Sequence, residues 1–490
     1  MSENIKSKTI RGISWSAIDS IASQGIVFLV SIVLGRLLSP AEYGTIGIAN
    51  IFVALFNRIV DCGFSNALIR RQDVKDVDYN TTFIINLVLS VLLYAVCFAF
   101  SPLISSYFND IALEKVVRWI SLVVIINAFA IIHKTHFVKR INFKTQAKIS
   151  VIASIVSGVV GIAMALAGCG VWSLVGQQIA RQTCNTILFW MYNKWRPKIE
   201  FSYQSFKELF SFGSKLLLTS ITDTIFNELS TIVTGKIYSS ATLGQYSRAK
   251  QFGSIFSSNV STVMERVTYP VLSSFQDNKQ RLIDYYKIII RSLMLVSGIG
   301  LAIISSCARP IILILLGDKW IEAILYLQLI AFVDVFIPLK NVNLNLLKVY
   351  GRSDYIFRLS IIKRLIELSA VALGIYFSME WMIIGFAVTG FIGLLLNAYY
   401  TSKESGYTVL AQMKDLAPSF CLSFFVGITM YLVSLFISNN IICLLVQLLV
   451  GGVPFFAVAE VTKLKEYVFL KQIALGVIKN LPIVKKCNAG

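Results

Sequence analysis

A stripe of polar residues runs through one of the apolar stretches of this sequence. Between residues 207 and 236, polar groups recur at steps of three or four positions, a spacing that places them on one face of an α-helix. Such a face is costly against lipid, so it must meet water, another helix or a ligand. We interpret it as the lining of a cavity, with static packing between helices as the alternative. Its members are Lys215, Thr219, Asp223, Asn227, Ser230 and Thr234.

The following apolar stretch, 241–270, carries two cations close together. Arg248 and Lys250 are two positions apart and therefore point to opposite sides of a helix, and Gln251 shares the Arg248 side. Cations at this depth could bind an anionic ligand, with Arg248 the preferred contact, or could neutralise Asp223 or Glu228. Which of the two cations faces a cavity stays open. The predicted ligand-binding residues are Arg248, Lys250, Lys215, Asn227, Gln251 and Arg291.

Three acidic residues lie in the same apolar context. Asp19, Asp223 and Glu228 could each bind a proton or a sodium ion and so couple an ion gradient to a conformational change. The alternative is charge balance for Lys215 or Arg248. We predict no other cofactor and no metal site.

Further charges inside apolar stretches extend this set. Arg58 and Asp61 are three positions apart, so we expect them to pair with each other. Arg291 and Glu367 have no local partner in the sequence. The Lys and Arg residues inside apolar stretches are Arg58, Arg181, Lys215, Arg248, Lys250, Arg266, Arg291, Lys340 and Lys348.

The residues needed for common catalytic and metal sites are scarce. The chain has two histidines, His133 and His136, both beside Lys134 and without a carboxylate neighbour. Its eight cysteines include no CxxC pair, and most lie in or beside apolar runs, as expected for small core residues. These features argue against an enzyme, a zinc site and a disulfide framework.

The elements that position these residues are predicted to be membrane-spanning helices. Of the 490 residues, 56% are hydrophobic and 14% are charged, and the mean hydropathy is +0.72. A transmembrane helix needs about 20 mainly apolar residues. The sequence predicts an all-α integral membrane protein with fourteen such spans, at 13–38, 43–61, 82–108, 113–135, 147–168, 170–193, 207–236, 241–270, 284–309, 320–348, 355–377, 381–402, 413–437 and 440–462.

The cations between the spans predict the orientation. With the N-terminus inside, the inner segments hold 30 of the 45 Lys and Arg residues and the outer segments hold 6. Positive residues concentrate on the cytoplasmic side of membrane proteins, so both termini are predicted to be cytoplasmic. The net charge of +19 therefore reflects topology and gives no reason to expect nucleic-acid binding.

The chain also contains an internal repeat. Residues 31–56 align without a gap on residues 231–256, with nine identities in 26 positions. The identities include turn residues, Gly35, Ser39 and Gly44, which a shared apolar composition does not explain. Six spans separate the equivalent helices, so the two halves are predicted to have the same orientation, as in parallel transporter repeats.

The opening RGISWSAIDSIASQGIVFLVSIVLGRLLSPAEYG, Arg11 to Gly44, together with a 6+6+2 arrangement of spans, resembles the polysaccharide transporter branch of the MOP superfamily, the Wzx-type flippases of O-antigen and exopolysaccharide units. The resemblance implies a MATE-like fold of two six-helix lobes in a bacterial inner membrane. It also implies an undecaprenyl-pyrophosphate-linked oligosaccharide as cargo, membrane lipids as neighbours and a polysaccharide polymerase as a further partner. A MATE-type small-molecule exporter and a membrane-embedded polymerase or ligase are the alternatives.

The predicted organisation follows the repeat. It comprises an N-lobe at 1–200 with spans 1–6, a C-lobe at 201–405 with spans 7–12, two additional spans at 406–462, and a basic amphipathic cytoplasmic tail at 463–490.

Overall fold

The computed structural model describes residues 22–461, 466–468 and 471. Within these residues the secondary structure is helical, without a β-strand. The helices of the first half are α1 (Ala22–Leu37), α2 (Pro40–Asp61), α3 (Phe64–Arg70), α4 (Asp76–Phe108), α5 (Ile111–Ile120), α6 (Leu122–Lys139), α7 (Phe143–Leu166), α8 (Trp172–Tyr192) and α9 (Tyr203–Ile237).

The second half continues in the same way. A short 3-10 helix, Asp318–Trp320, separates α12 from α13. The helices are α10 (Ser240–Ser273), α11 (Lys279–Ser306), α12 (Ala308–Leu315), α13 (Glu322–Asp334), α14 (Ile337–Val349), α15 (Ser353–Tyr376), α16 (Met379–Ser405), α17 (Val409–Phe436) and α18 (Asn440–Val461).

The helices confirm a multi-pass membrane protein. In the described part of the chain, nine helices or consecutive helix pairs are long and apolar enough to cross a membrane: α2, α4, α5–α6, α7, α11, α13–α14, α16, α17 and α18. The other predicted spans fall on α1, α8, α9, α10 and α15, which are shorter or more polar. The count of fourteen crossings stays a prediction.

The chain packs as two compact units, Met1–Ser247 and Arg248–Gly490. In the first unit, α9 packs on α2, α3 and α4, and α7 packs on α8. In the second unit, α11 packs on α17, and α15 packs on α16. The predicted lobe boundary at residue 200 stays a prediction, because a compact unit is defined by packing and a repeat lobe by its ancestry.

The two repeated segments begin their helices in the same way. Ser39 caps α2 in a capping box, in which its backbone N–H donates to Glu42 Oε2 at 2.6 Å. Ser239, the equivalent residue, caps α10 by accepting a hydrogen bond from the backbone N–H of Thr242 at 3.1 Å. The shared turn residues of the repeat therefore have the same structural role at both positions.

These two helix starts meet in a reciprocal contact inside the first unit. A Cβ atom added at Gly44 would lie 1.8 Å from the backbone oxygen of Ser240. A Cβ atom added at Gly244 would lie 1.8 Å from the backbone oxygen of Pro40. Gly44 aligns with Gly244, and Pro40 aligns with Ser240. The contact is therefore symmetric: the glycine of each helix packs against the backbone at the first residue of the other helix.

Candidate functional site

A polar cavity of about 550 Å³ lies in the first unit among α2, α3, α6 and α9; we call it the Arg58 cavity. It contains two of the predicted site residues, both from α9. Its polar and charged lining consists of Asn57, Arg58, Asp61, Ser65, Asn66, Asn127, Lys134, Thr135, Thr224, Asn227 and Glu228.

The cations of this cavity are available to a ligand. Arg58 and Lys134 are both exposed; within the described residues each interacts electrostatically with Asp61, but neither forms an ion pair. Arg58 and Asp61 interact electrostatically, as expected, but form no ion pair, and Asp61 accepts a hydrogen bond from Ser65, whose hydroxyl oxygen accepts one from Thr135 at 3.1 Å. The neighbouring helix thus satisfies the Asp61 carboxylate and leaves the guanidinium facing the cavity.

An apolar groove of about 380 Å³ adjoins the Arg58 cavity, and both are bordered by Thr224 and Glu228 of α9. Polar atoms contribute almost nothing to its surface. The other lining residues come from α2, α4 and α9: Ile51, Phe52, Leu55, Phe100, Leu103, Ile104, Tyr107, Phe108, Ile225 and Ile232. The first unit therefore places a charged polar surface directly beside an apolar one.

The polar stripe of α9 has two different environments along its length. Asn227 is exposed on the Arg58 cavity, and Glu228, next to it in sequence, is half-buried there. Ser230 and Thr234 are buried, and Ser230 accepts a hydrogen bond from the Tyr246 hydroxyl at 3.3 Å. For this end of the stripe the interpretation as cavity lining was wrong, because the start of α10 covers it.

Three other predicted site residues of the first unit do not line the Arg58 cavity among the described residues. Asp223 is half-buried in α9, and its role stays a prediction. Lys215 also lies in α9, but its side chain is outside the described part of the structure. Asp19 lies outside the described residues.

In the second unit, Arg248 is buried, with 5% of its surface exposed, and donates a hydrogen bond to Gln251. The predicted pairing of these two residues on one side of α10 is therefore present. A guanidinium buried in this way contacts a ligand only after the surrounding helices move. Its binding role stays a prediction.

Lys250, on the other side of α10, belongs to a cluster of charges that the sequence did not reveal. It lies near enough to Asp334 for a direct electrostatic interaction, and the Asp334 carboxylate accepts a hydrogen bond from Ser257 at 3.2 Å. Lys340 interacts with both Asp334 and Glu367. Four helices, α10, α13, α14 and α15, contribute to this cluster, so no local sequence spacing could indicate it.

The charges without a local sequence partner find partners in the structure. Arg291 of α11 forms an ion pair with Asp415 of α17 at 2.6 Å. For Glu367 the expectation of no local partner was wrong, because it contacts Arg364, one helical turn earlier, at 3.8 Å. The charge of Arg291 is thus already neutralised by a packing partner, and its predicted role in ligand binding has no support from this geometry.

The histidines and cysteines have ordinary structural surroundings. His133 and His136 are buried, and the Nδ1 atom of each accepts a hydrogen bond from the Asn193 side-chain NH2 group, at 3.0 and 3.3 Å. Burial raises the pKa of the Cys62 thiol, between α2 and α3, to about 11, so this cysteine is protonated at neutral pH.

A family described as "Polysaccharide biosynthesis protein" matches residues 33–325 of this chain. The match covers more than half of the sequence, including the Arg58 cavity, residues 33–56 of the first repeated segment and all of the second. The chain belongs to this family. The resemblance to the polysaccharide transporter branch of the MOP superfamily is thereby confirmed.

Relatives with recorded roles agree with this membership. The chain is 24% identical to the teichuronic acid biosynthesis protein TuaB of Bacillus subtilis (strain 168), over 84% of this chain and 89% of TuaB. It is also 24% identical to the lipopolysaccharide biosynthesis protein WzxC of Escherichia coli (strain K12), over 76% of each chain.

A solved structure shares the fold. The lipid II flippase MurJ in an inward closed conformation superposes with a TM-score of 0.70, covering 91% of this chain and 98% of MurJ at 15% identity. This family member therefore shares the fold of MurJ.

Proposed function

We propose that this protein is a flippase that moves undecaprenyl-pyrophosphate-linked oligosaccharide units from the inner to the outer leaflet of a bacterial cell membrane by alternating access. The observation that carries the proposal is the Arg58 cavity beside the apolar groove. A lipid-linked sugar needs a hydrated site for its charged head and an apolar surface for its tail. In this arrangement, Arg58 and Lys134 face the pyrophosphate, since cations form charge-assisted hydrogen bonds with phosphate oxygens.

The names of similar proteins support the same cargo class. TuaB and WzxC are named for teichuronic acid and lipopolysaccharide biosynthesis, and MurJ is named as a lipid II flippase. A MATE-family multidrug transporter also shares the fold, with a TM-score of 0.61, but the family and the relatives TuaB and WzxC are named for polysaccharide biosynthesis, which favours the flippase. The polysaccharide polymerase that would receive the cargo remains an expected partner.

The architecture that we propose has fourteen spans, with a parallel repeat of two six-helix lobes and both termini in the cytoplasm. The equivalent caps at Ser39 and Ser239 and the reciprocal contact of Gly44 and Gly244 support the repeat. The cation distribution of 30 to 6 supports the orientation.

Coupling to a proton or sodium gradient is a further part of the proposal. Of the two acidic candidates that the structure describes, Glu228 is better placed than Asp223, because Glu228 borders both the polar cavity and the apolar groove. An ion bound there would change the charge of the surface that meets the cargo. Transport that is unchanged when every ion gradient and the membrane potential are collapsed would exclude coupling at Glu228, Asp223 and Asp19.

The proposal is tested in proteoliposomes that contain a fluorescent undecaprenyl-pyrophosphate oligosaccharide. Wild-type protein should expose inner-leaflet label to an impermeant quencher faster than protein-free vesicles do. The variants Arg58→Gln and Lys134→Gln should slow this exposure at least tenfold, since each removes a cation from the pyrophosphate site. Lys194→Gln is the matched control, because Lys194 is exposed and outside the cavity.

Two results would overturn the proposal. One is wild-type protein that leaves the label in its original leaflet. The other is equal activity in all three variants, which would place the pyrophosphate elsewhere.

A further inference from the structure

The linker between α8 and α9 in the first unit exposes a group of large apolar side chains. It comprises residues 193–202 and contains no helix. Ile199 is fully exposed, and Phe201 and Tyr203 are 56% and 69% exposed. Apolar side chains gathered in this way are costly in water, so they indicate a binding partner. The linker surface, as we call it, consists of Lys198, Ile199, Phe201, Tyr203 and Lys207.

Hydrogen bonds to α4 hold the linker backbone in place. The backbone N–H of Lys198 donates to Asn80 Oδ1 at 3.1 Å, and that of Ser202 donates to Thr81 Oγ1 at 3.0 Å. Asn80 and Thr81 are themselves buried near the start of α4. Pro197 adds stiffness, because proline restricts the residue before it to an extended backbone. The exposed apolar side chains are therefore presented by a fixed backbone.

The extended conformation directs the apolar side chains away from the protein. Successive side chains of an extended chain point to opposite sides. The side chain of Glu200 points to α4, where it accepts a hydrogen bond from Asn80 Nδ2 at 3.1 Å. Its two neighbours, Ile199 and Phe201, consequently share the outer side of the linker.

The linker surface continues into one side of α9. Tyr203, Phe210 and Leu218 are exposed and follow at steps of seven and eight residues, which places them on one side of this helix. The polar stripe of α9, which includes Asp223 and Asn227, lies on the opposite side. An exposed apolar side of a membrane span faces lipid. Since the linker extends this side beyond the end of the span, it lies at the level of the lipid headgroups, and the predicted orientation places it at the inner leaflet.

The charges of the linker surface favour anionic lipids. Lys198 and Lys207 are exposed, and neither side chain forms a hydrogen bond or an ion pair with another described residue. The neighbouring acids are already bound: Glu200 accepts its hydrogen bond from α4, and Glu208 forms an ion pair with Arg71 at 3.0 Å. Two available cations beside exposed apolar side chains are the composition of an interfacial membrane anchor.

We infer that the linker surface binds anionic phospholipid headgroups of the inner leaflet, with its lysines on the phosphates and its apolar side chains inserted below them. This partner is the membrane itself and not the lipid-linked cargo, so the inference goes beyond the proposed function. Each Lys or Arg near an anionic membrane strengthens binding roughly fivefold, which corresponds to about 1 kcal/mol. Because the linker is bonded to α4 and leads into α9, it holds the first turns of both helices at the membrane surface.

The experiment attaches an environment-sensitive fluorophore to Ile199→Cys in an otherwise cysteine-free, full-length protein in nanodiscs. With a mixture of phosphatidylglycerol and phosphatidylcholine, the emission should shift to shorter wavelength, and spin-labelled lipid should quench it. Phosphatidylcholine alone should give a smaller shift and less quenching, because it has no net charge to attract the lysines. The control is the same label on Asp277→Cys, at an exposed position flanked by Gln276 and Asn278, which should stay in water in both lipids.

The lysines are tested in the same labelled protein. Lys198→Gln combined with Lys207→Gln should lower the equilibrium constant for insertion of the label into the anionic nanodiscs roughly 25-fold, fivefold for each lysine. The matched control, Lys279→Gln combined with Lys414→Gln, removes two exposed lysines of the predicted cytoplasmic side and should leave insertion unchanged. The melting temperature reports whether each variant is folded. If the first pair does not fold, high salt replaces it, since screening should weaken insertion of the label in the protein that keeps both lysines.

Three results would overturn the inference. Emission from position 199 that matches emission from position 277 in both lipids would place the linker surface in water, open to a protein partner. Equal insertion with and without phosphatidylglycerol would remove the selection of anionic headgroups. An equal loss of insertion in the two pairs of variants would show a general effect of charge. Flipping of the cargo is a separate measurement, so this inference and the proposed function can each fail alone.

Discussion

The reciprocal glycine contact gives the sharpest prediction about stability. Gly44→Ala would place a Cβ atom 1.8 Å from the backbone oxygen of Ser240, and Gly244→Ala would do the same at Pro40. An ordinary contact is about 3.4 Å, so α2 and α10 would have to separate by roughly 1.6 Å. Because the obstacle is backbone, no change of rotamer relieves the overlap. We expect the free energy of unfolding of each variant to fall by about 3 kcal/mol or more, the upper range for an overpacked core.

The matched control is Gly452→Ala in α18, where an added Cβ atom meets nothing within 4 Å. Alanine there should stabilise the helix slightly, by about 1 kcal/mol at most. The measurement is thermal unfolding of the purified proteins, all in the same detergent. The readout is the fraction of protein that remains monodisperse after heating. A Gly44→Ala or Gly244→Ala protein as stable as the Gly452→Ala protein would refute the contact.

Three other predictions concern single charges and topology. If Arg248 binds cargo, the Arg248→Ala protein should have normal abundance in the membrane, stop export of surface polysaccharide and leave lipid-linked precursor in the inner leaflet. If Arg248 has a packing role instead, the variant should be less abundant, and polysaccharide export should fall in proportion to the amount of protein. Arg291→Ala should lower the protein's abundance, because the half-buried Asp415 loses its partner, and Arg291→Ala combined with Asp415→Ala should restore much of it, as a western blot would show. In a cysteine-free background, Asp318→Cys should react with an impermeant thiol reagent from outside intact cells and Lys198→Cys should not; the reverse pattern would contradict the predicted orientation.

The helical architecture could be predicted because hydrophobic length is a local property of the sequence. Each predicted span falls on one helix or on two consecutive helices within the described residues. What hydropathy did not reveal is where spans break. The span predicted at 113–135 is divided at Ser121 into α5 and α6, and the span predicted at 320–348 is divided near Val335 into α13 and α14.

The candidate site was predicted less completely because it depends on contacts between distant residues. The spacing on α9 correctly brought Asn227 and Glu228 to attention, since helical periodicity is readable from sequence. The partner of Asp61 could not be predicted, because its hydrogen bond from Ser65 depends on the left-handed turn at Cys62 and Gly63 that begins α3.

The division between the two compact units has a mechanical consequence. It falls between Ser247 and Arg248, inside the continuous helix α10, so one intact helix is the only covalent connection between the units. A flexible linker would let the units turn independently, but a helix resists bending because bending strains several backbone hydrogen bonds at once. The backbone hydrogen bonds of α10 therefore continue from the last residues of the first unit into the second, and Arg248, bonded to Gln251 one turn later, is the first residue of the second unit.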